Sequence, residues 1–205
     1  MPYPKGHRAA ARAKIIDSAR RLFNRHGFDN VSISQIMTAA GLTHGAFYGY
    51  FKSKSDLYAE VMDCFFTNPN WQHRWKGVAF DPDAKLGPQI VEAYLSRGHL
   101  EDIENSCPLV ALPSDVARNG NGPRRAFETV FAAMVELLAR SADSRQARDA
   151  SPAIAALCIG GMVVARAMTD SESADDLRAS CRRVALTLGG WKATRPVRRG
   201  RDPAP

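Results

Sequence analysis

Ser32-Ile-Ser-Gln-Ile-Met-Thr-Ala-Ala-Gly-Leu-Thr-His-Gly-Ala-Phe-Tyr-Gly-Tyr-Phe-Lys-Ser-Lys54 is the stretch on which the fold of this 205-residue chain turns. Ser32 is a good N-cap, and Ile33, Ile36, Met37 and Ala40 follow it at helical spacing. Gly41, which tolerates a positive φ, ends that helix after about two turns. Thr43 then caps a third helix, with small Gly45 and Ala46 near its tip and Phe47 and Phe51 behind. Ile36, Ala40, Leu42, Phe47 and Phe51 have the offsets around Gly41 that turn apolar side chains inward on both helices. A helix-turn-helix needs this arrangement: a short packing helix, a tight turn, and a second helix whose tip is free to enter a DNA groove.

Working outward, Ile15, Ala19, Leu22 and Phe23 form one apolar stripe on a first helix over 9–26, with Arg20, Arg21 and Arg25 outside it and Gly27 as its left-handed C-cap. Met1 to Gly6 reads as a disordered leader. Ser53-Lys-Ser-Asp56 is a capping-box-like entry to a helix carrying Leu57, Val61 and Phe65. From Asn68 to Pro88 the sequence is loop-like and aromatic. Beyond it, helical spacing predicts helices over 88–100, up to Arg118 after the break at Cys107-Pro108, and over 124–142, 152–168 and 174–188. Asn119 to Pro123 reads as a turn cluster. Period-two alternation persists nowhere, so the expected class is all-α.

Charge is distributed unevenly. Residues 1–54 hold nine Lys/Arg against Asp17 and Asp29, a surplus of +7, which equals the net charge of the whole chain. The other 151 residues carry nineteen of each sign. A basic head on a neutral body fits a polyanion-binding head. Within that head, Tyr48, Tyr50 and Lys54 are spaced to donate hydrogen bonds to phosphates, Gly45 and Ala46 permit close backbone approach, and His44 is best placed to reach a base edge.

The stretch from about Ala11 to Leu57 resembles the tetracycline-repressor (TetR) family of bacterial transcriptional regulators. The ordered features are Phe-x-x-x-Gly-Phe ending the first helix, Ala-Ala-Gly-Leu-Thr at the turn, and Phe-Tyr-x-Tyr-Phe-x-Ser-Lys-x-x-Leu after it. Met37 departs from the small Ala common in the family, and Tyr50 from the frequent His. The resemblance implies phosphate contacts from Ser32, Thr43, Tyr48, Tyr50 and Lys54, and base reading by His44, Gln35 and Gly45. It also implies a helical C-terminal domain that encloses a small-molecule effector pocket and pairs with a second copy through the last two long helices. The expected protein is therefore a homodimeric regulator, most simply a repressor, that binds a palindromic double-stranded operator and is released by an effector. The alternative is a ligand- or protein-interaction module with a vestigial head.

The expected organisation is a DNA-binding domain over 1–54, an effector-binding and dimerisation domain over 55–191 and a basic disordered tail over 192–205. On the dimer face, Ile154, Leu157, Cys158, Gly161, Met162 and Ala165 are candidates, with an intramolecular core as the equal reading on spacing alone. Trp71, Trp75, Tyr94 and Cys107 are candidate effector contacts, and the segment from Trp71 to Phe80 is a candidate transmitter between head and body. His73 and His99 lack metal-ligand spacing and read as solvent-facing or capping residues. Cys64, Cys107, Cys158 and Cys181 contain no CxxC pair and read as reduced, mostly buried thiols. No nucleophile elbow, phosphate loop, zinc motif or dinucleotide fingerprint is present, so neither an enzyme nor a cofactor is expected. Apolar runs are too short to span a bilayer and the N-terminus is not a secretory signal, which makes the cytoplasm the expected location.

Overall fold

The computed structural model describes residues 5–67 and 79–192, whose regular elements are all helices, with no strand among them. They fall into two compact units, one of 5–67 with 102–133 and one of 79–101 with 134–192. Trp71 and Trp75, the transmitter segment up to 78, and the tail from 193 lie outside the described residues.

In the first unit, α1 (Lys5–His26) starts four residues earlier than its apolar stripe predicts. Ile15, Ala19 and Phe23 are fully buried, and Gly27 closes the helix with φ +77°. The Gly27 N–H bonds to the Phe23 carbonyl at 2.8 Å. α2 (Ile33–Ala39) opens on a complete capping box, in which the Gln35 N–H donates to Ser32 Oγ and the Ser32 N–H donates to Gln35 Oε1. Gly41, at φ +72°, ends it as expected. The third helix is not α but a 3-10 segment, His44–Gly49, with i→i+3 bonds at Ala46 to Thr43 and Tyr50 to Phe47. Two glycines in six residues make a full α-turn costly there, and one short tight segment suffices. α3 (Lys54–Thr67) is capped by Ser53, whose Oγ accepts from the Asp56 N–H at 3.0 Å.

An aromatic cluster fills the space behind these helices. Phe23, Phe28 and Tyr58 pack mutually, with Phe23 and Tyr58 edge to face at 5.2 Å. Introduced here ahead of chain order, two short helices of the later sequence, 108–111 and 113–118, join the same unit. Each starts on a proline whose missing N–H costs nothing at a first turn. The long helix Asn121–Arg140 begins inside the expected turn cluster for the same reason: Pro123 sits in its first turn. Its residues up to 133 belong to the first unit and the rest to the second.

Arg20 departs from the sequence reading most clearly. It is buried, not solvent-facing, because its guanidinium donates to the Glu104 carbonyl at 2.6 Å, to Asn105 Oδ1 at 3.1 Å and to Asp17 at 2.8 Å. One turn on, buried Asn24 donates to the carbonyls of Glu104 and Ser106 at 3.1 and 2.9 Å. The chain at 104–106 thus takes its hydrogen bonds from α1 instead of from a helix of its own.

In the second unit, the single helix expected over 88–100 is broken into α4 (Leu86–Tyr94) and α5 (Arg97–Glu101). The helices that follow in the chain are α6 (Pro108–Ala111), α7 (Pro113–Arg118) and α8 (Asn121–Arg140). Buried Arg178 donates to the Leu95 carbonyl at 2.7 Å, and Arg166 donates to the carbonyl of His99 at 2.5 Å. His99 is buried, with Nδ1 2.6 Å from the Tyr94 carbonyl, a capping role and not a solvent-facing one. α9 (Arg145–Asp149), a single turn capped by Ser144, has no periodicity long enough to announce it. α10 (Ser151–Ala167) and α11 (Ser171–Leu188) pack on each other and on α4. No described helix is long and apolar enough to cross a membrane.

Candidate nucleic-acid interface

The packing of the first unit presents the candidate reading segment, His44–Gly49, outward. Ile36, Met37 and Phe47 are fully buried and Phe51 nearly so, which fixes α2 and the segment 44–49 against α1 and α3. Met37 fills the position where a small residue is common, and its buried thioether occupies the gap. On the outer side, Ser32, Gln35, Thr43, His44, Gly45 and Tyr48 are exposed, and Tyr50 and Lys54 are half-buried.

Their polar atoms are not equally available. Ser32 Oγ and Gln35 Oε1 are spent on the capping box, so the Gln35 amide NH2 is what remains for a base acceptor. Thr43 stands at the N-cap position in extended conformation, yet its hydroxyl makes no cap hydrogen bond. Tyr48 is 63% exposed, a large ring left in solvent, edge to face with His44 at 6.4 Å. Lys54 Nζ lies 4.1 Å from the centre of the Phe28 ring. Burial lowers the Lys54 pKa, while the Asp29 and Asp115 carboxylates act the other way.

Gly45 has no internal reason to be glycine. Its φ is not positive, and a Cβ built there meets no atom within 4 Å; the same holds for Gly49. Glycine in a helical segment costs stability, and at position 45 it leaves the backbone bare at an open surface.

The charge surplus divides in the same way. Arg12 pairs with Glu60, Arg20 and Arg21 with Asp17, and Arg25 with Glu104. Among the described residues of the head, Arg8, Lys14, Lys52 and Lys54 have no carboxylate in ion-pair contact. Sequence reasoning did not single out Arg8, which reaches from α1 to donate to the Gly49 carbonyl at 2.7 Å. Only an unexplained cation at a helix start, where no acidic residue balances the dipole, hinted at it.

The remaining candidates are placed separately. Tyr94 is fully buried in the second unit, its ring edge-on to His99 at 4.9 Å. Cys107 is fully buried in the first unit, before α6. Cys158 is a buried free thiol that burial pushes above the usual range, and Cys181 is a half-buried one. No cluster of three or more potential metal ligands occurs among the described residues.

A short buried helix, a positive-φ glycine and an exposed polar segment define a helix-turn-helix head. Residues 15–61 match the family described as bacterial regulatory proteins, tetR family. It is similar to the HTH-type transcriptional regulator AcrR of Shigella flexneri, 44% identical over 57 residues, 28% of this chain and 26% of the relative. The chain's matches span about a quarter of the length of several such curated relatives. The fold is similar to that of the reduced form of E. coli NemR, with TM-score 0.67 and 16% identity, covering 87% of this chain and 96% of that one. It is also similar to SmeT in its triclosan complex, with TM-score 0.64 and 17% identity, covering 92% and 99%.

Proposed function

We propose that the protein is a homodimeric transcriptional repressor that binds a palindromic operator in the cytoplasm and is released by a small-molecule effector. The observation that carries this reading is the exposed segment 43–50, glycine-tipped and bordered by cations without carboxylate partners, on a fully buried apolar frame. In it, Thr43, Tyr48, Tyr50, Lys54 and the Ser32 end of α2 hold phosphates, while His44, Gln35 and the Gly45 backbone face base edges. Two heads then bind successive major grooves about 34–36 Å apart. The test is a salt titration of binding to genomic duplex fragments: steep loss of affinity with salt, and enrichment of inverted repeats, are expected. A vestigial head would give neither. Lys54→Ala is expected to weaken binding to all duplexes alike and to lower the log–log salt slope by about 0.9 for each phosphate no longer neutralised.

The second copy is assigned to the outer face of α10 and α11. The stripe of Ile154, Cys158, Met162 and Ala165 is buried within the subunit, which makes it the intramolecular core. The opposite face carries Ala153, Ala156, Leu157, Gly160 and Val164 along α10, with Leu177 and Cys181 from α11, in a shallow, almost wholly apolar groove. Val164 is 48% exposed, and Val184 and Leu188 add 42% and 39% nearby in sequence on α11. Such a face is one half of a four-helix interface. Val164→Asp is expected to leave the subunit folded but to raise the dimer dissociation constant by about a hundredfold, since it buries an unpaired charge. Sedimentation equilibrium measures this, and an unchanged dimer removes α10 from the interface.

The SmeT neighbour is seen in complex with triclosan, which supports an apolar aromatic effector here. Tyr94 and Cys107 are fully buried, each in a different unit, and stay candidates from the sequence alone. Trp71 and Trp75 remain proposed contacts on sequence grounds.

A further inference from the structure

Arg8 stands apart from the other arginines of α1. Arg12 is held by Glu60 and by the Phe51 ring at 4.9 Å, and Arg20, Arg21 and Arg25 each meet a carboxylate. Arg8 is exposed and meets none among the described residues. Its guanidinium instead donates to the Gly49 carbonyl at 2.7 Å and lies over the Tyr50 ring at 5.8 Å. These two contacts bring a cation from the start of the chain to the C-terminal end of the reading segment, 41 residues on. The Gly49 carbonyl uses one of five guanidinium N–H donors. Gly49 itself presents no side chain, and nothing lies within 4 Å of where one would begin.

The position is electrostatically incomplete. α1 has no acidic residue in its first turn, although a helix N-terminus favours negative charge. Arg8 adds positive charge at this end, so both the helix and its side chain draw an anion there. The guanidinium donors left over by the Gly49 carbonyl, lying beside the Tyr50 ring, are free to take an anion from outside. Planar N–H pairs match phosphate oxygens in geometry as well as charge.

We propose that Arg8 and Tyr50 together clasp one DNA phosphate beyond the C-terminal end of the reading segment. Arg8 thereby supplies a contact from α1 and fixes where that segment ends. The proposal rests on the reading of residues 32–54 as a DNA interface and adds to it a residue from a different helix.

The test uses the full-length protein and the genomic duplex fragment that the wild type selects, with a random-sequence duplex as control. Arg8→Ala is expected to weaken both by about tenfold at moderate salt and to lower the log–log salt slope by about 0.9 for each head engaged. Arg8→Lys keeps the charge and removes the flat stack, and it is expected to restore the slope while recovering only part of the affinity. In a Tyr50→Phe background the effect of Arg8→Ala is expected to shrink, since both side chains serve one phosphate. Circular dichroism and thermal unfolding of each variant confirm that the head is intact.

A wild type that binds no duplex in a salt-sensitive way overturns the DNA reading itself. A wild type that binds, with Arg8→Ala within twofold of it and an unchanged slope, overturns the role of Arg8 alone. Weaker binding with an unchanged slope in both Arg8 variants makes Arg8 a prop for Gly49 and also overturns the clasp.

Discussion

Gly45→Leu is expected to lower operator affinity by at least about a hundredfold while leaving the melting temperature unchanged or slightly raised. The two signs have separate causes. Inside the subunit nothing opposes a side chain at position 45, because a Cβ there has no neighbour within 4 Å and the backbone φ is ordinary. Replacing glycine in a helical turn also removes unfolded-state freedom, worth about 0.5–1 kcal/mol in favour of folding. Outside the subunit the picture reverses. A leucine side chain at the exposed tip, next to Thr43 and His44, holds the backbone away from the groove floor. Forgoing two hydrogen bonds to bases, at about 1–3 kcal/mol each, accounts for the hundredfold. Fluorescence anisotropy with the selected duplex, alongside a melting curve, reads both signs; affinity within threefold of wild type places the groove elsewhere.

Phe47→Ala is expected to abolish binding to a similar degree by the opposite route. Phe47 is fully buried, tilted against Phe51 at 5.8 Å and edge to face with Tyr48 at 5.3 Å. Its carbonyl also closes the segment by accepting from Tyr50 and Phe51 at 2.8 and 3.1 Å. Deleting the ring leaves a cavity beneath the very helix that must stay rigid, at a cost of about 3–5 kcal/mol. Against a whole-protein stability of about 5–15 kcal/mol, that is a large share. Urea denaturation measures it. A destabilisation below about 1 kcal/mol shows that the segment is held by something other than this ring. The pair separates the two tasks proposed for residues 44–49, contact with a partner at Gly45 and support of the fold at Phe47.

The legible parts of the chain are those whose cause is local. The Gly27 and Gly41 turns, the Ser32 and Ser53 caps and the buried face of α1 all follow from residues within one or two turns of each other. The exposed DNA candidates follow from the same local frame. What sequence cannot supply lies between residues far apart in the chain. Arg20 reads as a surface cation on a helix, and becomes a core residue because Glu104 and Asn105 stand 84 and 85 positions away. The two faces of α10 are nearly equal in apolar content, so only packing against α4 and α11 decides that Ile154 and Met162 go inward while Leu157 and Val164 stay outward. The 3-10 form of the reading segment turns on a smaller balance, between two glycines and an otherwise helical pattern. Gln35 illustrates a third limit: one side chain suits two roles, and the capping box takes its oxygen.

The grip of Arg20 and Asn24 on the carbonyls at 104–106 bears on how such a protein can be recombined. A transplant that stops at residue 54 or 67 severs two buried donors from their acceptors. Asp115, which accepts the Phe28 N–H at 2.8 Å, would be left behind as well. Swapping specificities between relatives of this kind therefore calls for a donor piece cut from two places in the gene, the opening stretch and a later insert, because the unit that travels intact is not contiguous in the polypeptide.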